Sequence, residues 1–211
     1  GWLTVELGGG GTVTVNGFGQ AVMKSSATAD VALIRSSALL PSQYTISVKF
    51  RVDSISGAAS SNLTALGLFD DNAFVPGPAS SGVANPHTKM VIYPSWWVGQ
   101  LWHMTMYWNG GWASWWDSPP GWIGGFSNTG TNAVMSQWYV ATAVKDGSNY
   151  SFVTTDGSGV TVSGPGSIPI SSVNGAAFGD YLSLGDLYTD YNFGTLTIDE
   201  ICLGAPMTLP S

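Results

Sequence analysis

The chain has 211 residues, a length suited to one β-sandwich spanning 1–211, and nothing in it reads as a linker between two cores. Only 9% of its residues are charged, and 13 acids against 6 bases leave a net charge of −7. That balance excludes a nucleic-acid footprint, which needs clustered cations to displace counterions. It also disfavours anionic membranes, whereas an uncharged glycan fits it. No apolar run approaches the roughly 18–20 residues of a membrane span. The single cysteine, Cys202, excludes an intramolecular disulfide. A core of this size can do without one. Abundant Gly, Ser, Thr and Trp with scarce Lys and Glu read as a secreted or cell-surface domain.

Helix signals are nearly absent. The 28 glycines and 11 prolines punctuate short runs rich in Val, Ile, Thr, Tyr and Trp, the pattern of an all-β sandwich. The first predicted strands are Thr12 to Val15 and Val31 to Ile34. From Tyr44 to Val52 the alternation is clean. Tyr44, Ile46, Val48 and Phe50 share one face, and Thr45, Ser47, Lys49 and Arg51 the other, as in a half-buried antiparallel strand. Leu63 to Phe69 follows and stops at a turn, Asp70-Asp71-Asn72. Residues 73–86 read as a long loop rich in Pro, Ser and Ala. Lys89 to Tyr93 and Leu101 to Trp108 are the next strands. Trp138 to Lys145 and Tyr150 to Thr154 form a predicted hairpin across Asp146-Gly147-Ser148-Asn149. Tyr181 to Gly185 and Thr195 to Leu203 close the chain.

Three of these segments carry a resemblance. "YTISVKFRVDS" from Tyr44, "QWYVATAVKDGSNYSFVTTDG" from Gln137 and "GTLTIDEICL" from Gly194 occur in this order. They resemble the opening strand, central hairpin and closing strand of the concanavalin A-like superfamily, laminin-G domains included. The resemblance covers about a third of the chain. It implies a two-sheet antiparallel β-sandwich, a jelly roll, and it leaves function open. This fold carries lectins, carbohydrate-binding modules, glycoside hydrolases, polysaccharide lyases and adhesion domains.

The chemistry-bearing segment is Trp96 to Trp122, which holds eight of the ten tryptophans. Sugars present flat C–H faces that stack on rigid aromatic rings. In the run 101–108, Trp102, Met104, Met106 and Trp108 alternate with His103, Thr105 and Tyr107, and the apolar set is expected between the sheets. Trp96, Trp97, Trp112, Trp115, Trp116 and Trp122 lie in turn-like sequence. Adjacent rings in extended chain point to opposite sides, so these six are the candidate stacking residues. His103, Tyr107 and Lys89 are the candidates for orienting hydrogen bonds.

Catalysis is the alternative. The resemblance implies, for the superfamily's retaining glycosidases, a closely spaced carboxyl pair. The only glutamates here, Glu6 and Glu200, lie near opposite ends, and no Glu-x-Asp-x-x-Glu run is present. Asp70 or Asp71 with Asp117 is the remaining carboxyl pairing. A lyase would need a base and a group to neutralise a uronate. By parity His87, Lys89 and Tyr93 share a face beside His103 and Tyr107. The resemblance also implies a structural calcium at Asp199, with Glu6 assisting, and Asp186, Asp190 and Asn192 form a second candidate set. Cys202 is expected to be a buried small hydrophobe. The leading expectation is a carbohydrate-binding, lectin-like domain. The others are a polysaccharide lyase or glycoside hydrolase, and a structural or adhesive surface protein whose aromatics meet another chain.

Overall fold

The computed structural model describes residues 1–27, 30–56, 63–70, 88–94, 104–108, 122–123, 134–173, 178–186 and 193–209. In chain order the strands are β1 (Trp2–Leu7), β2 (Thr12–Val15), β3 (Ala21–Lys24), β4 (Val31–Ser36), β5 (Tyr44–Ser56), β6 (Leu63–Phe69) and β7 (Thr88–Tyr93). They continue as β8 (Met104–Trp108), β9 (Trp122–Ile123), β10 (Trp138–Lys145), β11 (Asn149–Asp156), β12 (Thr161–Pro169), β13 (Tyr181–Asp186) and β14 (Phe193–Gly204). One sheet has the order β1-β4-β13-β6-β7-β8-β9, and the other β12-β11-β10-β5-β14-β3-β2. Every pairing is antiparallel. This is the two-sheet sandwich that the sequence predicts.

The core lies between the inner faces. Tyr44, Ile46, Val48, Phe50 and Val52 of β5 all point into it, against Ala32 and Ile34 of β4, Leu66 and Leu68 of β6, and Leu182 and Leu184 of β13. The predicted face of β5 is therefore the buried one. The two sheets differ in their outer faces. On the second sheet the outward residues Lys49, Arg51 and Asp53 of β5 keep contact with water. On the first sheet Val31, Leu33, Phe69, Val91 and Tyr93, which face away from the core cluster, are buried as well. Strands buried on both faces read as continuous apolar runs. That explains Val31 to Ile34 and the wholly buried Leu63 to Phe69. The sequence reading lacks β1, β3, β9 and β12; β3 has only four residues, β9 two, and β12 contains Gly164-Pro165-Gly166. Such short or interrupted strands carry almost no period-2 signal.

The hairpin between β10 and β11 forms as predicted. Asp146 accepts hydrogen bonds from the backbone N–H groups of Ser148 and Asn149, both at 2.8 Å. Gly147 sits at φ 95°, a conformation that favours glycine.

One polar cluster is sealed inside the apolar core. Asp180, in the segment leading into β13, receives Lys89 Nζ at 2.9 Å and Lys145 Nζ at 2.7 Å. It also accepts from the hydroxyls of Tyr150 at 2.7 Å and Tyr44 at 3.1 Å. The remaining donors of the Lys89 ammonium reach the carbonyls of Phe178 at 2.7 Å and Gly179 at 2.8 Å. Lys89 comes from one sheet and Tyr44, Lys145 and Tyr150 from the other, so the cluster ties the layers together. Burial would raise the Asp180 pKa, but the charge of Lys89 and the hydrogen bonds from Lys145 and Lys89 outweigh it and hold it below the ordinary value.

Asp180→Ala should cost about 3–5 kcal/mol in urea denaturation, because it leaves two buried ammonium groups without their counter-charge. The depressed carboxyl also sets the pH dependence. Its contribution should be complete above the unfolded-state pKa of about 3.9, and should drain away as pH falls through the lower folded value. An acid titration of stability that is the same for Asp180→Asn and the parent chain would contradict this.

Candidate functional site

The strands that flank the tryptophan segment are the last three of the first sheet. Their register is set by Met90 opposite Tyr107, Val91 opposite Met106, Ile92 opposite Thr105 and Tyr93 opposite Met104. On the far side of β8, Tyr107 is opposite Ile123 and Trp108 opposite Trp122. Consecutive antiparallel strands are joined at alternate ends. The connection with Trp96 and Trp97 therefore leaves from the Tyr93/Met104 end, and the one with Trp112, Trp115 and Trp116 from the Trp108/Trp122 end. The ends of β8 are ~13 Å apart at about 3.3 Å per residue. Trp96, Trp97, Trp112, Trp115, Trp116, His87 and His103 lie outside the described residues. Trp122 opens β9 and Tyr107 belongs to β8.

The register corrects two parity expectations. Position 107 is aligned with Met90 and position 105 with Ile92, and both partners belong to the core cluster. Positions 104 and 106 are aligned with Tyr93 and Val91, outside that cluster. By register, then, positions 105 and 107 fall on the row of Ile92 and Met90, and positions 104 and 106 on the row of Tyr93 and Val91. Tyr93 and Tyr107 do not fall on one row. Tyr93 itself is buried.

Lys89 is displaced from the groove for a different reason. Leu68 is opposite Met90 and Phe69 is opposite Thr88, so Lys89 is the extra residue of a β-bulge. A bulge breaks strict alternation and re-aims a side chain. Lys89 ends 0% exposed, with its ammonium on Asp180 and two carbonyls. Every donor is satisfied inside the protein, and none is left for a substrate. No sequence signal announces the bulge.

The calcium expectation meets an ion pair. Asp199 is the extra residue at an irregularity of β14, between Ile198 opposite Phe50 and Glu200 opposite Lys49. One of its oxygens takes the Lys49 ammonium at 2.6 Å and the other the amide of Gln20 at 2.8 Å. These two hydrogen bonds, Lys49 first, hold the Asp199 pKa below its ordinary value. Glu6 accepts the backbone N–H of Val13 at 2.5 Å. A divalent cation at Asp199 would sit beside an ammonium, so this donor set does not fit calcium. Among the described residues there is no group of three or more His, Cys, Asp or Glu side chains placed to hold a metal. Asp186 is buried at the end of β13, where it accepts from Ser25 Oγ at 2.5 Å, while Asp190 and Asn192 lie outside the described residues.

Two sites carry polar groups that the sequence reading missed. Arg35 of β4 and Ser183 of β13 are register partners, both buried on the outer face of the first sheet. Among the described residues Ser183 Oγ has no hydrogen-bond partner. The visible signal was an arginine ending the run Val-Ala-Leu-Ile. On the outer face of the second sheet, Trp138 lies beneath Arg51 at 4.7 Å and Lys49 at 5.2 Å from the ring centroid. Arg51 Nε also pairs with Asp53 at 2.5 Å, and Asp53 accepts from Thr197 Oγ1. Cross-strand pairing of Arg51 with Trp138 brings them together. Cys202 is exposed rather than buried. A hydrogen bond to Glu200 at 3.2 Å, with the Glu200 charge, raises its thiol pKa.

No protein-family model matches the chain, and no curated protein sequence matches it. Solved structures do. The exoplasmic/lumenal domain of VIP36, in a Ca2+/Man3GlcNAc-bound form, superposes with a TM-score of 0.56 at 11% identity, over 100% of this chain and 85% of that one. An alginate lyase from Klebsiella pneumoniae gives 0.55 at 9% identity, over 92% and 84%. A carbohydrate-binding module from Bacillus subtilis gives 0.51 at 14% identity, over 97% and 96%. The fold is the concanavalin A-like jelly roll. Among the described residues no helix is long and apolar enough to cross a membrane.

The geometry around Cys202 makes a direct prediction. Alkylation by iodoacetamide near pH 8 should be faster in Glu200→Gln than in the parent, because the variant loses the charge that disfavours the thiolate. Equal rates would show that Glu200 does not hold the thiol.

Proposed function

We propose that this is a secreted or surface-displayed carbohydrate-binding domain that grips a neutral polysaccharide through tryptophans of the 96–122 segment. Trp96, Trp97, Trp112, Trp115, Trp116 and Trp122 supply the stacking faces, and His103 an orienting hydrogen bond; Tyr107, aligned with the core residue Met90, is left out of the binding set. The observation that carries the reading is the placement of β8 between β7 and β9. The two tryptophan-bearing connections leave from its opposite ends, so a polymer lying along β8 would meet both. Shared fold with a lumenal glycan-bound domain and a carbohydrate-binding module supports the class. The low charge of the chain supports a neutral ligand.

The same geometry weighs against elimination chemistry on the expected constellation. Lys89, its carboxylate-neutralising member, is spent on Asp180, and Tyr93 is buried on another row from Tyr107. Binding without turnover is therefore favoured.

The test is a panel of plant, algal and bacterial polysaccharides, with tryptophan fluorescence and new reducing or unsaturated ends followed in the same wells. A fluorescence shift without new ends is the expected result; new ends would replace this reading with an enzyme. With the responding polymer, single Trp→Ala changes at the six positions should each cost about 1–3 kcal/mol of affinity in titration calorimetry. Chelation by EDTA should leave that affinity unchanged, since Asp199 is held by Lys49 rather than offered to a cation.

A further inference from the structure

The N-x-Ser/Thr pattern that accepts an N-linked oligosaccharide occurs twice in the chain, as Asn62-Leu63-Thr64 and Asn149-Tyr150-Ser151. The first begins outside the described residues and ends on Thr64, buried within β6. The second lies on the hairpin where β10 turns into β11. Tyr150 points into the core, with its hydroxyl on Asp180. Side chains alternate along a strand, so Asn149 and Ser151 share the outer face of the second sheet. Both are half-buried there. The Asn149 amide is held by the turn itself, because Asp146 accepts a hydrogen bond from it as well as from the backbone N–H groups of Ser148 and Asn149.

A cavity of about 450 Å³ opens on the same face beside this pair. Ser151 and Asp146 line it, and so does Ser167, which accepts the Ser151 hydroxyl at 2.9 Å. Its volume lies within the ~300–1,000 Å³ of small-ligand pockets. Pro165 of β12, and Pro206 and Met207 of the segment after β14, add apolar lining. That segment lies across the sheet, where the Met207 N–H reaches Thr45 Oγ1 at 3.0 Å. Met207 is nevertheless 53% exposed. Hydroxyls and a carboxylate beside aliphatic surface match a sugar ring, which has hydroxyl edges and C–H faces.

We infer that Asn149 is an N-glycosylation site and that the first sugar of its glycan seats in this cavity. The inference rests on the secreted reading above, and not on sugar recognition by the tryptophans. The transfer joins Asn149 Nδ2 to C1 of the sugar and breaks the C1–O bond to a lipid-linked pyrophosphate donor. The pyrophosphate leaves with the bonding electrons, and the amide gives up one proton to the transferring enzyme. The other amide hydrogen stays, so Asp146 keeps its bond. Tyr150 is sealed in the core once β11 docks, so transfer precedes closure of the hairpin onto the sandwich. The seated sugar covers the Met207 side chain at the mouth of the cavity.

To test this, the whole chain is secreted from a eukaryotic cell behind a cleavable leader, and read by glycopeptide mass spectrometry and by peroxide oxidation of Met207. An occupied Asn149, lost in both Asn149→Gln and Ser151→Ala, is the expected result. Met207 should oxidise at least about threefold more slowly in the glycosylated chain than in Asn149→Gln, because a covered thioether meets peroxide less often. Enzymatic removal of the glycan from the folded chain should restore the faster rate, which separates shielding from a change in folding. An empty Asn149 in the secreted chain would overturn the site. Equal Met207 rates with and without the glycan would overturn the seating. The polysaccharide panel, run on the same preparation, keeps the two proposals apart. A glycan at Asn149 without a polysaccharide response leaves this one standing, and a response with Asn149 empty removes this one alone.

Discussion

Asp180 is the point where the two layers of this sandwich are pinned. Hydrophobic burial brings sheets together but is non-directional. It does not say which residue of one sheet lies over which residue of the other. A carboxylate that takes Lys89 from one sheet, and Lys145, Tyr44 and Tyr150 from the other, does. Its bonds are charge-assisted and sealed from water, where an imperfect geometry would leave an uncompensated charge. The position of β7, and with it β8 and β9, follows from where Lys89 is held. The frame for the tryptophan segment is thus attached to this contact.

The same contact shows how a functional candidate can be absorbed by structure. A lysine beside two histidines and two tyrosines has the composition of a lyase site, and its parity looked right. One extra residue in β7 turned it into the core. Asp199 is a parallel case. An irregularity in β14 sets it next to Lys49, and the supposed cation ligand becomes half of an ion pair. Bulges move single side chains without changing the strand they belong to, which is why residue type and spacing did not reveal either outcome.

The two margins of the sandwich present different chemistry. At β7, β8 and β9 the chain spends most of its tryptophans on connections between strands. At β1 and β2 it leaves the inner-face residues Trp2 and Val15 in contact with solvent. The low charge of the chain allows both, because apolar and hydroxyl surface must then cover most of the molecule. A net charge of −7 keeps such a surface soluble by mutual repulsion.

Period-2 alternation from Tyr44 to Val52, the Asp-Gly turn after Lys145 and the apolar strands at 31–34 and 63–69 were legible by themselves. Each is a local pattern whose physics involves only neighbours in the chain: alternation of side chains, left-handed glycine, apolar continuity. The absence of a cationic footprint and the concentration of tryptophan were equally plain. Register across strands, the bulge at Lys89, the ion pair of Asp199 and the exposure of Cys202, Trp2 and Val15 were decided only by tertiary structure. Each depends on which distant segment lies alongside, and a one-residue offset between two strands changes the face that a side chain occupies. Sequence determined what kinds of surface this protein owns; the pairing of strands far apart in the chain determined which of those residues remained on it.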